Sequence, residues 1–145
     1  MKDKVIFLVE DNPDDELLTL RALKNNNISN EVIVARDGQQ ALDYFFGEGA
    51  AERITPTVML LDLKLPKVDG LEVLRRIRAD ERTHMQPIVI LTSSKEEQDL
   101  FTSYSLGVNS YIRKPVDFSQ FLEAIRQLGL YWLVLNETPP SKGSH

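Results

Sequence analysis

Acidic residues directly follow two apolar runs of this sequence, where they could bind a cation or act as nucleophiles. Glu10 and Asp11 come after the run that ends at Val9, and Asp62 comes after the run that ends at Leu61. Three carboxylates at close range repel one another by roughly 4 kcal/mol per pair at 4 Å and an effective dielectric constant near 20. Such a cluster needs a cation or raised pKa values, and an all-oxygen site with few carboxylates is typical of Mg²⁺, which also recruits a phosphate oxygen.

Two further apolar runs end in polar residues that could complete such a site. Thr92 and Ser93 follow one run, and Lys114 and Pro115 follow the other. A lysine ammonium together with Mg²⁺ would balance the charge of three carboxylates. The residue types therefore indicate a Mg²⁺ site whose charge a lysine helps to balance.

The elements that must position these side chains alternate along the chain. Five segments rich in β-branched residues lack a polar–apolar alternation, which predicts strands buried on both faces of a parallel sheet. They are Val5–Val9, Val32–Ala35, Thr57–Leu61, Ile88–Leu91 and Ser110–Arg113. Helical patterns separate them, so we predict a doubly wound α/β fold with right-handed crossovers. In such sheets the ligand crevice lies outside the carboxyl ends of the strands, and all the polar residues above would meet there if the first, third, fourth and fifth strands are neighbours.

Capping signals give the predicted helix ends. Asn12 and Pro13 are typical of an N-cap and first helical residue. The five predicted helices run from Pro13 through Leu23, over Gly38–Phe46, over Gly70–Ala79, from the capping box of Ser94 and Glu97 to Gly107, and from Asp117 or Ser119 onward.

Bulk properties predict one compact domain. The chain has 145 residues, 42% of them hydrophobic, no cysteine and a net charge of −5. That charge argues against nonspecific nucleic-acid binding, which needs a basic patch. The longest apolar stretch, Leu128–Leu135, is too short to cross a bilayer, and no secretory signal is evident. We therefore expect a cytoplasmic protein without a membrane or nucleic-acid partner.

Two segments depart from the regular plan. Residues 47–56 form a long polar stretch before the third strand, and residues 131–141 add an apolar, aromatic extension to a domain that we place at 1–130. Residues 142–145 resemble a cloning remnant.

The motifs together resemble the receiver domains of two-component response regulators. They are Glu10-Asp11-Asn12, Leu-Leu-Asp62-Leu-Lys-Leu-Pro66-Lys-Val-Asp-Gly70, Leu-Thr92-Ser93 and Tyr111-Ile-Arg-Lys114-Pro115, and the resemblance spans residues 4–128. It implies a flavodoxin-like fold with strand order 2-1-3-4-5. The protein is then expected to be a signalling module and not an enzyme, apart from accepting its own phosphoryl group and slowly losing it.

The resemblance also implies roles for individual residues. Asp62 would be the phospho-acceptor, and Asp11, Glu10, Asp62 and the main-chain carbonyl of Lys64 would hold Mg²⁺ or Mn²⁺. Lys114 would pair with the phosphoryl group, for which a cis bond before Pro115 is expected.

Two more residues gain roles from the same source. Thr92 would hydrogen-bond the phosphoryl group, and it would form a conformational switch with Tyr111.

A narrower resemblance concerns the turn over Leu63–Val68, the long loop before the third strand and the ending Leu-Gly-Leu-Tyr-Trp-Leu-Val-Leu-Asn-Glu. These features are similar to those of the small receivers that pair with bacterial phytochrome histidine kinases in cyanobacteria, so such a kinase is the expected partner. Lys64 departs from that subgroup, which usually has a smaller polar residue there. We therefore expect Lys64 to alter the lifetime of the phosphoryl group.

Alternative interpretations remain for this pattern. An aspartyl-phosphate phosphohydrolase typically has a second acid two residues after its nucleophile, where Lys64 stands here. A degenerate receiver, acting as a constitutive interaction module, usually lacks an acidic residue or the lysine, and all are present. Asp14, Asp15 and Glu16 are interpreted as first-turn residues that favour the helix dipole.

Apolar residues beside the inward helix stripes predict a homodimer. An exposed apolar patch of this kind, with aromatic residues, is typical of an interface. The candidate interface residues are Leu100, Tyr104, Phe118, Leu122 and Trp132.

Overall fold

A computed structural model describes residues 4–25, 28, 30–92, 102–108, 110–114 and 118–127. Five parallel strands form one sheet in the order β2-β1-β3-β4-β5, as predicted. The strands are β1 (Ile6–Val9), β2 (Val32–Ala35), β3 (Val58–Leu61), β4 (Ile88–Thr92) and β5 (Ser110–Arg113). Because helices cover both faces of the sheet, β1 and β3 are buried along their whole length.

The helices follow the predicted alternation. They are α1 (Pro13–Asn25), α2 (Gly38–Phe46), α3 (Gly70–Ala79), α4 (described at residues 102–105) and α5 (Phe118–Gln127). Asn12 caps α1 as predicted, because its Oδ1 accepts hydrogen bonds from the amides of Asp14 (2.8 Å) and Asp15 (3.1 Å). Gly107 follows α4 with φ of 80°, a conformation that glycine adopts without steric cost. No helix in the described ranges is both long and apolar enough to cross a membrane.

Successive side chains of the strands point to opposite faces and build two apolar layers. On one face Leu8 and Leu60 pack with Phe121 of α5, and on the other Phe7 and Met59 belong to a layer with α2 and α3. This double burial fixes the register of β1 against β3 and so the relative position of the residues that follow them.

Arg78 joins two loops near the amino end of β4. Its guanidinium donates hydrogen bonds to the carbonyls of Leu106 (2.8 Å), His84 (3.0 Å), Gln86 (2.9 Å) and Gly107 (3.2 Å). Desolvation lowers the pKa of this half-buried group from its usual value. Arg78 therefore ties the end of α4 to the loop that leads from α3 into β4.

The structure differs from the predictions at a few positions. The polar stretch 47–56 contains a 3₁₀ helix, Ala50–Glu52, and Arg53 donates hydrogen bonds back to the carbonyls of Asp43, Tyr44 and Glu48. The last helix begins at Phe118, between the two predicted starts, Asp117 and Ser119. The residues predicted to cap the last two helices lie outside the described residues, as do the domain extension and the terminal segment: Ser94, Glu97, Asp117 and 131–145.

Candidate functional site

Three carboxylates meet at the carboxyl ends of β1 and β3. Glu10 and Asp62 are 1% and 5% exposed, whereas Asp11 is exposed. The amide of Asp62 donates a hydrogen bond to the carbonyl of Val9 (3.1 Å), which brings the ends of the two strands together. One oxygen of each carboxylate lies within 4.8 Å of the others, so Glu10, Asp11 and Asp62 could hold a metal ion. The structure thus assembles the acidic cluster that the sequence indicates.

Lys114 reaches this cluster from the end of β5. Its Nζ lies 2.5 Å from Glu10 Oε1, 2.9 Å from Asp62 Oδ2 and 2.9 Å from Asp15 Oδ2. Burial alone would lower the pKa of Lys114, but the hydrogen bonds to Glu10, Asp62 and Asp15 outweigh burial and hold that pKa above its usual value. The ammonium is therefore charged, and it is the counter-ion of this acidic cluster.

Glu10 keeps an abnormal pKa in spite of that partner. Burial, and to a smaller extent the nearby charge of Asp62, raise the pKa of Glu10 to about 7. The bond to Lys114 and the amide of Asn12, 3.2 Å from Glu10 Oε2, oppose this rise only in part. A proton on Glu10 would compete with a cation for the site, because a metal binds the carboxylate form.

Asp15 belongs to the site, although the sequence analysis assigned it only to the helix dipole. It lies in the first turn of α1, where Asn12 fixes the backbone, and its carboxylate contacts Lys114. Asp11 belongs to the metal cluster, whereas Asp15 lies outside that cluster and contacts Lys114. Its place one helical turn after Asp11, beyond the end of a central strand, was the available signal.

The loop from β3 to α3 holds Asp62 in place. The amide of Lys64 donates a hydrogen bond to Asp62 Oδ1 (3.1 Å), so both oxygens of this carboxylate are engaged. The amide of Gly70 bonds to the carbonyl of Leu63 (2.9 Å), and a Cβ at Gly70 would lie 2.2 Å from the carbonyl oxygen of Asp62. Glycine is therefore required at this close approach. The side chain of Lys64 is exposed.

The other predicted site residues are only partly described. Thr92 ends β4 and pairs in register with Arg113, but the structure describes only the backbone of Thr92. Tyr111 is half-buried and packs against the apolar layer of α2 and α3. The bond before Pro115 also lies outside the described residues, so the cis prediction stays a prediction.

The predicted interface residues divide in the same way. Tyr104 is 49% exposed, as a contact residue would be. Leu122 was expected beside the inward stripe of α5, yet it is half-buried and packs against the layer that contains Phe121. The apolar stripe of α5 is thus wider than predicted, and part of Leu122 is buried against the core. Leu100, the side chain of Phe118 and Trp132 lie outside the described residues.

Family comparison decides what kind of protein carries this site. The response regulator receiver domain matches residues 6–126. The chain belongs to this family. Receivers are signalling modules of two-component systems, mostly without enzymatic activity, whose general function is to accept a phosphoryl group. The predicted family and fold are therefore confirmed.

Individual relatives place this receiver more closely. The probable methanogenesis regulatory protein FilR2 of Methanothrix harundinacea is 41% identical over 135 residues, which are 93% of this chain and 87% of FilR2. Response regulator Rcp1 of Synechocystis sp. is 38% identical over 131 residues, 90% of this chain and 89% of Rcp1. The structure of its Mn²⁺-bound form has a TM-score of 0.75 at 37% identity, covering 95% of this chain and 99% of that one.

A bacteriophytochrome response regulator is also similar. The structure of RtBRR has a TM-score of 0.80 and 57% identity, and the match covers 94% of this chain and 84% of RtBRR. This receiver is therefore related to phytochrome response regulators.

Proposed function

We propose that this protein accepts a phosphoryl group from a sensor histidine kinase onto Asp62 in a reaction that depends on Mg²⁺. One observation carries the proposal. The buried carboxylate of Asp62 lies both within the acidic cluster of Glu10 and Asp11 and 2.9 Å from the ammonium of Lys114. A carboxylate between a cation site and a fixed lysine suits a group that must carry a dianionic phosphoryl group.

The covalent step is a phosphoryl transfer between two side chains. An oxygen of Asp62 attacks the phosphorus of the kinase phosphohistidine, and a P–O bond forms while the P–N bond breaks. The imidazole nitrogen leaves with the electron pair of that bond, and Asp62 becomes an acyl phosphate. The amide of Lys64, bonded to Asp62 Oδ1, holds the carboxylate in one orientation before the attack.

The donor set fits a hard divalent cation. Carboxylates and carbonyls are the ligands that Mg²⁺ and Mn²⁺ prefer. Glu10, Asp11, Asp62 and the carbonyl of Lys64 would hold the ion, and the bound ion supplies positive charge for the oxygens of the phosphoryl group. The similar structure of Rcp1 contains Mn²⁺.

Lys114 supplies a second positive charge from the opposite side of the cluster. In the absence of a phosphoryl group it neutralises Glu10 and Asp62. After transfer its ammonium can pair with a phosphoryl oxygen and stabilise the acyl phosphate. Thr92 is the proposed hydrogen-bond donor to another of these oxygens, and Tyr111 is the proposed switch residue.

The proposed partner is a phytochrome-type histidine kinase. The similarity to RtBRR, which is a bacteriophytochrome response regulator, supports this choice. FilR2 is also similar, and its name gives a different context. Phosphotransfer profiling against phytochrome and non-phytochrome kinases tests the choice, and a preference for the latter would contradict it.

Acetyl phosphate with Mg²⁺ tests the acceptor itself. We expect stable, base-labile labelling of the wild type, no labelling after removal of Mg²⁺, and none in Asp62→Asn. Asp69→Asn is a matched control, because Asp69 lies on the same loop, is exposed and makes no side-chain cap to α3. Steady release of phosphate would indicate a phosphohydrolase instead, and no reaction would indicate a constitutive interaction module.

The proposed assembly is a homodimer of the 1–130 receiver, with residues 131–141 extending its interface and 142–145 taking no part. Tyr104 supports it among the described residues, because nearly half of this large aromatic residue is exposed on α4. A symmetric dimer would bury the same patch on both partners.

A further inference from the structure

The loop between β3 and α3 lies directly against the first turn of α2. The amide of Gly38 donates a hydrogen bond to the carbonyl of Pro66 (3.2 Å). A Cβ at position 38 would lie 1.8 Å from the carbonyl oxygen of Val68 and 2.8 Å from its Cβ. The two backbones can approach this closely only because residue 38 has no side chain.

A charged contact holds the same loop beside Gly38. Asp37 caps α2, since its Oδ1 accepts a hydrogen bond from the amide of Gln40 (2.8 Å), and its Oδ2 lies 3.6 Å from Lys67 Nζ. Lys67 has a φ of 68°, a left-handed conformation that residues other than glycine rarely adopt. Such a residue persists where its surroundings over-determine it. The start of α2 therefore imposes the path of residues 66–68.

That path decides where two groups of the proposed metal site lie. Asp62 and Lys64 precede Pro66 in one short, fully described loop, whose other end is fixed where Gly70 touches the backbone of Asp62. We propose that Gly38 is a positioning residue for the metal site. Because Gly38 has no side chain, the loop can lie against α2 in the position that places the carbonyl of Lys64 beside the three carboxylates. This inference depends on the proposed Mg²⁺ site and adds a residue of α2 that contacts neither metal nor phosphoryl group.

The Gly38→Ala variant tests this positioning role through its affinity for Mg²⁺, without any measurement of phosphorylation. The added methyl group must push residues 66–68 away, and a misplaced supporting residue weakens metal binding by about tenfold or more. Mg²⁺ demands near-ideal octahedral geometry, whereas Ca²⁺ accepts flexible coordination. We therefore expect the Kd for Mg²⁺ to rise by at least about tenfold and the Kd for Ca²⁺ to rise much less. A general loss of stability would not change the ratio of the Kd for Mg²⁺ to the Kd for Ca²⁺.

Gly47→Ala is the matched control at the other end of α2. A Cβ there would lie 2.6 Å from the carbonyl oxygen of Asp43, so the substitution disturbs the same helix through a backbone clash without touching the loop. We expect a lower unfolding temperature for this variant and an unchanged Kd for Mg²⁺. Equal weakening in the two variants, or an unchanged Kd in a folded Gly38→Ala protein, overturns the inference.

Lys67→Gly keeps the test decisive if Gly38→Ala does not fold. Glycine adopts a φ of 68° without strain, but it removes the ion pair with Asp37. We expect thermal stability at or above that of the wild type together with a Kd for Mg²⁺ raised by about threefold or more, because the loop is less firmly seated. An unchanged Kd would contradict the inference. If the wild type itself bound no Mg²⁺, the proposed function would fail instead.

Discussion

Lys114 and Asp15 form an ion pair of 2.9 Å between Nζ and Oδ2, although 99 positions separate them in the chain. Glu10 and Asp62 contact the same ammonium, so three carboxylates share one positive charge. Asp15 differs from the other two because it lies outside the metal cluster. It therefore draws the lysine toward α1 and away from the groups that would receive the cation.

Replacing Asp15 should weaken Mg²⁺ binding. In Asp15→Asn the lysine bonds more strongly to Glu10 and Asp62, with which the cation must compete, and the site loses one nearby negative charge. Both effects act in the same direction, so we expect the Kd for Mg²⁺ to rise by about threefold. Asp14→Asn in the same helical turn is the control for the change in helix charge. Tighter binding in Asp15→Asn would contradict this assignment.

The pH dependence of Mg²⁺ binding should report Glu10. Its pKa is raised to about 7, so the proton is bound below that pH and must leave before the cation binds. The sign follows directly: affinity falls as the pH is lowered through 7 and levels off above it. We expect the Kd to rise by about tenfold between pH 8 and pH 6. In Glu10→Gln the binding is weaker but this pH dependence is lost, and a retained dependence would assign the proton to another group.

Arg78 should be a major source of stability. Its guanidinium bonds to four carbonyls, and its removal leaves those acceptors at a half-buried junction between loops. We expect Arg78→Met to lower the free energy of unfolding by about 2–4 kcal/mol. Arg75→Met on the exposed side of α3 loses only a surface ion pair with Glu72 and should cost less than about 1 kcal/mol. Urea denaturation of both variants provides the comparison, and equal losses would contradict the role of Arg78.

The sequence was sufficient to predict the fold and to indicate the acidic and lysine side chains that meet at one edge of the sheet, whereas the roles of these residues stay predictions. The strand runs of β1, β3 and β4 are apolar on both faces, which is a strong signal for a parallel sheet, and this topology necessarily brings Glu10, Asp62 and Lys114 to one edge. Asp15 was missed because an acidic residue in a first helical turn already has a local explanation in the helix dipole.

Two other differences have tertiary causes. The 3₁₀ helix in the 47–56 stretch is accompanied by hydrogen bonds from Arg53 to carbonyls up to ten residues earlier, which composition does not reveal. Leu122 is half-buried because the width of the apolar stripe on α5 depends on the layer that the helix packs against. The close approach of Gly38 to Val68 was equally hidden, since it joins the first turn of α2 to a loop that is distant in the chain.

Lys64 should change the lifetime of the phosphoryl group and leave metal affinity unchanged. Its side chain is exposed at the mouth of the site, and a flexible ammonium there can reach a phosphoryl oxygen or a carboxylate, whereas only its carbonyl is a proposed ligand. We expect different dephosphorylation half-lives for the wild type and Lys64→Asn, with the same Kd for Mg²⁺. Equal half-lives would contradict a role for Lys64 in the lifetime of the phosphoryl group.

Dimerisation should depend on Tyr104 and Trp132 and be nearly independent of Leu122. Tyr104 is 49% exposed, whereas Leu122 packs against the core, so truncation of the two affects different properties. We expect the wild type to sediment as a dimer at micromolar concentration. Tyr104→Ala and Trp132→Ala should shift it toward the monomer, and Leu122→Ala should mainly lower thermal stability. Sedimentation of unmodified and phosphorylated protein decides the matter. If both forms are monomers and Trp132→Ala changes stability alone, the aromatic extension covers its own domain and the dimer proposal is wrong.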